Sequence, residues 1–391
     1  MSYLNHLGII CPLGSTHGEI AKRMFSGASG IASTDIYSFG RKLPLGLVTA
    51  ELPPTDHLPL PQRSRNNRLA LAALAQIRAE TDAAIERFGA GRVGIVIGTS
   101  TSGIAESEAA LREHAKSGTL PHNFHYGQQE LGSPAAMLAA VLGIGGPAYV
   151  HSSACASSAK AMASAARLIR MGICDAVVTG GVDSLCAFTV AGFAALESVS
   201  STQCNPLSGN RNGINIGEGA ALFLMSKEPA LVALRGWGES SDGHHISAPD
   251  PSGKGARLAI EAALSRAGIT AAQVDYVNLH GTATLQNDAM ESRVIAALFS
   301  GDTPVSSTKP FTGHALGAAG AIEAGLCWLA MQDANSDGKL PPHLWDGSFD
   351  PALPALNAVT AGGSLGRPLR WALSNSFAFG GANAALVLGR E

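Results

Sequence analysis

The sequence predicts an α/β fold built from two similar halves. Three observations carry that expectation. Apolar runs of strand length alternate with helical patterns along the chain. Glycine is abundant, at 46 of 391 residues, while aromatics make up only 5%, which suits tight turns and helices pressed closely onto sheet. Three segments of the first part also recur, in the same order, in the second.

Val93 to Gly98 (VGIVIG) reads as a buried strand, as do Ala176 to Gly180, Val274 to Leu279 and Ala384 to Leu388. They lack polar alternation, so both faces are expected to be covered. Ser157 to Met171, Ala256 to Ala267 and Leu316 to Met331 read as helices. The recurring segments are 92–103 with 274–284, 152–169 with 311–328, and 213–225 with 377–388. They divide the chain into halves of about 1–228 and 229–391 packed as one unit. Cys155 and His314 then fall at nearly equivalent points, each just before a helix of small residues. A pseudo-twofold axis would bring both helix starts to one site.

Composition excludes several classes. The formal net charge is −3 and no long basic run occurs, so nucleic-acid binding gets no support. No apolar stretch reaches the length of a membrane span, and Met1 to His17 lacks the pattern of a signal peptide. A soluble cytoplasmic protein is expected. The six cysteines, Cys11, Cys155, Cys174, Cys186, Cys204 and Cys327, form no C-x-x-C pair, so metal and redox motifs are not expected.

Cys155 lies in His-Ser-Ser-Ala-Cys-Ala-Ser-Ser-Ala-Lys, between an apolar strand (Ala148 to Val150) and an Ala-rich helix. A thiol there feels the positive end of the helix dipole, which favours thiolate. Position alone leaves a second reading open, a buried structural cysteine. His280 ends an apolar strand in Asn-Leu-His-Gly-Thr-Ala-Thr-Leu-Gln-Asn-Asp, where α/β sheets present functional side chains; a structural histidine is the alternative. His314 lies in Lys-Pro-Phe-Thr-Gly-His-Ala-Leu-Gly-Ala-Ala-Gly, with Thr312 or Gly313 placed to cap the helix that follows. An imidazole near a helix start favours its neutral form. Lys309 and Glu323 read either as solvated charges or as an ion pair bracing the histidine loop. Asn375 to Asn383 is a Gly-rich turn without a P-loop lysine, so it suits close backbone approach to a substrate more than phosphate binding.

Together these motifs resemble the β-ketoacyl-[acyl carrier protein] synthases of the elongating type, members of the thiolase superfamily. The resemblance runs from Leu7-Gly-Ile-Ile-Cys-Pro-Leu-Gly to Asn-Ser-Phe-Ala-Phe-Gly-Gly. It implies a thiolase fold, two βαβαβαββ-like halves in five αβαβα layers. It implies that Cys155 accepts the acyl group, that His280 and His314 promote decarboxylation of a malonyl thioester, and that Lys309 and Glu323 organise the site. It assigns the oxyanion hole to the N–H groups of Cys155 and Phe379, gating to Phe379 with Phe193, and substrate contacts to Thr282, Thr284, Ser247 and Gly380. No metal or organic cofactor is implied. The implied partners are acyl carrier protein and a second chain, in a homodimer or in a heterodimer with a non-catalytic chain-length factor, with Ala140 to Ser158 near the interface.

Departures bear on substrate. Leu285 and Gln286 stand where the family pattern has proline and a variable residue, and His245-Ile246-Ser247 stands for His-Met-Thr. A specialised pathway, polyketide or aryl-polyene assembly, is therefore weighed beside fatty acid synthesis. Arg63, Arg65 and Arg68, with Lys22 and Arg23 elsewhere, are candidates for a basic landing patch for an acidic carrier; solvated arginines are the plain alternative. A thiolase would need a second cysteine in the 375–383 loop, which has none. A chain-initiating synthase lacks this pair of histidine motifs, and a chain-length factor lacks the cysteine.

Overall fold

The structure is a computed structural model that describes residues 1–38 and 40–391. Among the described residues thirteen strands run in chain order: β1 (Ser2–Ile10), β2 (Ile31–Thr34), β3 (Leu43–Gly46), β4 (Val93–Gly98), β5 (Ala148–His151), β6 (Ala176–Asp183), β7 (Gly219–Ser226), β8 (Val232–Ser241), β9 (Tyr276–Asn278), β10 (Pro304–Ser306), β11 (Asn357–Ala358), β12 (Trp371–Phe377) and β13 (Ala382–Arg390). β2 and β3 form a separate hairpin.

The other eleven stand in the order β11-β10-β9-β12-β13-β8-β1-β7-β6-β4-β5, which reads alike outward from its centre. On one side β1 and β7 are antiparallel neighbours, followed by parallel β6, β4 and β5. On the other, β8 and β13 are antiparallel neighbours, followed by parallel β12, β9 and β10. β1 and β8 meet only through Ser2 with Leu234 and Tyr3 with Ala233.

The strands are apolar throughout because each has two dry faces. Along β4, Ile95 and Ile97 enter one core cluster and Val96 another. Along β13, Ala385 and Val387 point to an outer cluster while Leu386 and Leu388 point inward. Successive side chains alternate across a strand, so a helix layer on either side turns the alternation into a continuous apolar run. Each fully buried Ile or Leu contributes about 1.5–3 kcal/mol.

The helices Arg65–Ala75 and Ser133–Leu142 cover the outer face of the first half-sheet, and Lys254–Ala267 covers the outer face of the second. Between the half-sheets lie the helices Ser157–Arg170 and Ala319–Ala330. This gives the five αβαβα layers of the thiolase fold. Small residues make the centre close. A Cβ on Gly98 would stand 2.2 Å from the Ser158 nitrogen, and one on Gly320 would stand 3.1 Å from the Ala159 Cβ. Ser158 Oγ accepts the Ala321 N–H at 2.9 Å, tying the two central helices together. Among the described residues no helix is long and apolar enough to cross a membrane.

Candidate active site

Cys155 and His314 stand on two turns of one design. Ala154 and Gly313, immediately before them, both take left-handed backbone, with φ of 46° and 70°. That conformation costs alanine about 1–2 kcal/mol, and such strain collects at functional sites. Ser157 closes the first turn: its Oγ accepts the Ser153 N–H at 2.8 Å and donates to the Ala154 carbonyl at 2.6 Å. The second turn is crossed by the 215–217 segment. The His314 N–H donates to Asn215 O at 2.6 Å, and the His314 carbonyl accepts the Gly217 N–H at 3.0 Å. A Cβ at Gly313 would lie 2.9 Å from Gly217 Cα.

Thr312 and Gly313 do not cap the helix after His314. They end a short helix, Lys309–Thr312, and a 3-10 turn, Leu316–Ala318, precedes the helix Ala319–Ala330. Proline at position 310 and Gly313 punctuate the chain more finely than the apolar pattern of 316–331 suggests.

The two turns bring thiol and imidazole together. His314 Nε2 is 2.9 Å from Cys155 Sγ. The His280 ring stands nearly perpendicular to that of His314, at 83° with centroids 5.4 Å apart. One ligating atom from each of Cys155, His280 and His314 falls within 4.8 Å of the others, and all three residues are buried. Behind them, Lys309 Nζ donates to Glu323 Oε1 at 2.5 Å and lies 3.4 Å from His280 Nδ1. An ammonium has no lone pair, so it donates to Nδ1 and leaves the His280 proton on Nε2. Burial, and then the Lys309 charge, hold both imidazoles well below the ordinary histidine range. They are neutral N–H carriers.

The thiol departs from the expectation set by the helix dipole. Burial pushes Cys155 up to about 12, against the Lys309 charge and the backbone N–H groups of Phe379 and Cys155. Desolvation of an anion outweighs the partial charge at a helix start, so the resting group is a neutral thiol. Its proton must leave as substrate arrives, and the only side-chain base in contact among the described residues is His314. The backbone N–H groups of Phe379 and Cys155 reach the sulfur.

Cys155, His280 and His314 open into one cavity of about 930 Å³, mouth included. Phe193 and Phe379 line it with ring centroids 5.5 Å apart. Ser247, Thr282 and Thr284 line it too, the two threonine hydroxyls 3.0 Å apart. Gly380 lies outside the lining; with φ of 82° it donates its N–H to Ile246 O at 2.8 Å.

Among the described residues Arg65 pairs with a carboxylate, while Arg63 and Arg68 are bonded to backbone carbonyls, which leaves their charge uncompensated. Arg65 Nε donates to the buried Glu218 at 2.9 Å. Arg63 Nε donates to Leu58 O at 2.7 Å, and Arg68 donates to Pro53 O and Leu52 O at 2.9 and 2.8 Å. These partners are backbone carbonyls and a carboxylate 153 residues away, which local sequence cannot show.

Two buried acids went unnoticed in the sequence. Glu291 accepts the N–H groups of His280 and Gly281, both at 2.8 Å, and fixes the His280 loop. Burial pushes it up to about 7 despite those donors. Asp183 accepts the N–H groups of Ser100, Thr101 and Gly317 and so joins the loop after β4 to the turn after His314. The available signal for Asp183 was an acid closing an apolar strand; the helix of Glu291 is of mixed polarity and gave none.

The geometry can take an acyl group onto sulfur and hold a developing oxyanion between two neutral imidazoles, which defines an acyl-transfer enzyme. Family models for the β-ketoacyl synthase N-terminal and C-terminal domains match residues 59–230 and 231–344. Nodulation protein E of Rhizobium sp. (strain N33) is 32% identical over 97% of both chains. 3-Oxoacyl-[acyl-carrier-protein] synthase 2 of Rhizobium meliloti (strain 1021) is 38% identical over 63% of this chain and 61% of its own. Among solved structures, the ketosynthase ApeO of Xenorhabdus doucetiae, in complex with its chain length factor ApeC, is 45% identical with a TM-score of 0.93, covering 100% of this chain and 98% of that one. The chain belongs to the β-ketoacyl synthase family.

Proposed function

We propose that the chain condenses an acyl group with a malonyl unit, both delivered on acyl carrier protein in the cytoplasm, through Cys155, His280 and His314. The observation that carries this is the convergence of one thiol and two neutral imidazoles in a single buried cavity. In the first step Cys155 sulfur attacks the thioester carbonyl, the N–H groups of Cys155 and Phe379 hold the oxyanion, and the carbon–sulfur bond to the carrier breaks. The thiol proton passes by way of His314 to the departing pantetheine sulfur. In the second step the malonyl carboxylate leaves as carbon dioxide. Its bonding pair moves into an enolate whose oxygen accepts a hydrogen bond from Nε2 of His280, with the His314 imidazole beside it. The enolate carbon attacks the acyl carbonyl, the bond to Cys155 breaks, and a 3-ketoacyl thioester departs. Decarboxylation supplies the driving force, so the chemistry needs neither metal nor organic cofactor. Phe193 and Phe379 gate the acyl side, while Ser247, Thr282, Thr284 and the loop at Gly380 receive the pantetheine arm. The two catalytic turns come one from each half, 1–228 and 229–391.

The test is intact mass after incubation with acyl-carrier thioesters, wild type beside Cys155→Ala, followed by malonyl-carrier. Wild type gains one acyl mass and releases a 3-ketoacyl product; the variant does neither. Absence of acyl mass on wild type with every donor would sink the reading.

A second reading, that this chain is the catalytic half of a heterodimer with a chain-length factor, is favoured by the 45% identical ketosynthase solved with such a partner. It supports a specialised polyketide or aryl-polyene pathway. Wild type that acylates only when co-expressed with the partner would establish it over a homodimer.

A further inference from the structure

Phe193 and Phe379 stand on the acyl side of the cavity with ring centroids 5.5 Å apart. Phe193 rides on the helix Ala187–Ala195, and the turn that follows adds Leu196 and Ser198 to the lining. Whatever fixes this helix therefore fixes one wall of the acyl passage.

Packing within this chain holds the helix weakly. Of its residues Ala187 and Val190 alone are buried, and Phe188 is 66% exposed. Its start has no cap of its own, for Cys186 at the N-cap makes no side-chain hydrogen bond to the first turn's backbone. The first N–H groups of a helix find no partner inside it. Here two of them are met from outside. Glu108, 79 residues before Ala187, accepts the Ala187 N–H on Oε2 at 3.1 Å and the Phe188 N–H on Oε1 at 2.5 Å. Its charge lies at the positive end of the helix, where an anion is favoured. Arg112 stands 3.4 Å from the same Oε2, and the Glu108 side chain is only 15% exposed.

Glu108 is also referred to the catalytic turns. It sits in the helix Ile104–Ser117, which follows the loop after β4. That loop hangs from Asp183 through Ser100 and Thr101, and Asp183 also accepts the Gly317 N–H beyond His314. The acyl-side helix and the His314 turn thus share one support.

We propose that Glu108 is a positioning residue for the acyl side of the reaction: by capping the helix Ala187–Ala195 from outside, it sets where Phe193 stands and so which acyl groups Cys155 accepts. The proposal rests on the β-ketoacyl synthase reading and adds to it a residue that touches neither the substrate nor the reacting atoms. Without the carboxylate, the two N–H groups lose their partner and the start of the helix loosens. Phe193, on the same short helix, moves with it. A short acyl group makes little use of that wall, and decarboxylation beside His280 makes none.

The test follows acylation of Cys155 by intact mass with N-acetylcysteamine thioesters, in a straight-chain series from acetyl to dodecanoyl. Glu108→Ala is expected to lower kcat/KM about tenfold for the longest acyl group that wild type accepts, equivalent to about 1.4 kcal/mol. Acylation by the acetyl donor, and carbon dioxide release from malonyl-carrier by pre-acetylated enzyme, should keep wild-type rates. Glu108→Gln, which retains one acceptor oxygen, should fall between wild type and Glu108→Ala. If Glu108→Ala does not fold, Glu108→Gln must by itself tilt the chain-length profile the same way. The proposal is overturned if every donor and decarboxylation slow alike, which is the mark of a general loosening of the fold. It is equally overturned if both variants keep the wild-type profile, or if wild type takes acetyl alone, since the Phe193 wall would then select nothing. A wild type acylated by no donor at all would instead sink the synthase reading itself.

Discussion

Replacing Lys309 by methionine tests how the site is held. Lys309 and Glu323 are 1% and 2% exposed, and their charged atoms are 2.5 Å apart. Removing one partner of such a pair leaves a charge in an apolar interior, at a cost of about 3–5 kcal/mol. Glu323 is already pushed above the usual carboxylate range by burial, with Lys309 the counterweight; without it, the carboxyl takes up a proton. Replacing both residues by apolar ones of similar size removes the uncompensated charge, and such swaps are often nearly neutral. Lys309→Met and Glu323→Leu are therefore each expected to destabilise strongly, while the double variant recovers most of the loss. The coupling should be about 3 kcal/mol, read by urea unfolding of all four proteins. Additive losses would refute the reasoning. The recovered double variant separates stability from chemistry. His280 Nδ1 loses the donor 3.4 Å away, so nothing fixes its proton on Nε2. Decarboxylation should fall while acylation, which uses the His314 contact, persists.

Three further outcomes follow from the same site. Both imidazoles are held well below 6.5, so condensation by pre-acylated enzyme should lack an inflection near pH 6.5; an acid limb there would contradict neutral donors. The sign for stability is the same: the unfolded chain binds protons at these histidines that the folded chain does not, so stability declines as pH falls below about 6.5. Gly313→Ala combines left-handed backbone with a Cβ 2.9 Å from Gly217, whereas Gly118→Ala has φ of 77° and open space. The first should lower Tm well beyond the second and impair acylation of Cys155, and equal shifts would show that the crossing segment simply yields.

Much of the fold was legible because the chain writes layers directly. β4 was read to the residue, since a strand with two dry faces is an unbroken apolar run bounded by turns. β9 came out shorter than its apolar run, at Tyr276–Asn278, because its ends feed the catalytic loop and an edge turn. The hairpin of β2 and β3 was missed; its strands are four residues each and only partly apolar. At the site, the positions of Cys155, His280 and His314 were legible as interruptions of that apolar text. Their protonation was not. A helix start and a histidine loop are local signals, but burial, the Lys309 charge and the Arg65–Glu218 pair arise only when distant segments meet.

The doubled design turns one loop of a matched pair into the cavity and leaves the other as a brace. The loop after β4 and the loop after β9 occupy matching places in the two half-sheets. Each contains a left-handed non-glycine residue, Ser102 with φ of 45° and Ala283 with φ of 64°. Each hangs from a buried acid that accepts consecutive backbone N–H groups, Asp183 from Ser100 and Thr101, Glu291 from His280 and Gly281. The difference lies in one side chain. In the first loop Thr99 gives its hydroxyl to Asp183 at 2.5 Å and is fully enclosed. In the second, His280 turns its ring into the cavity. The turn pair divides differently, for both Cys155 and His314 face the cavity. Two turns and one loop thus bring a thiol and two imidazoles together in one cavity. The fourth segment, bonded through Asp183 to the Gly317 N–H at 2.6 Å, holds the turn that carries His314.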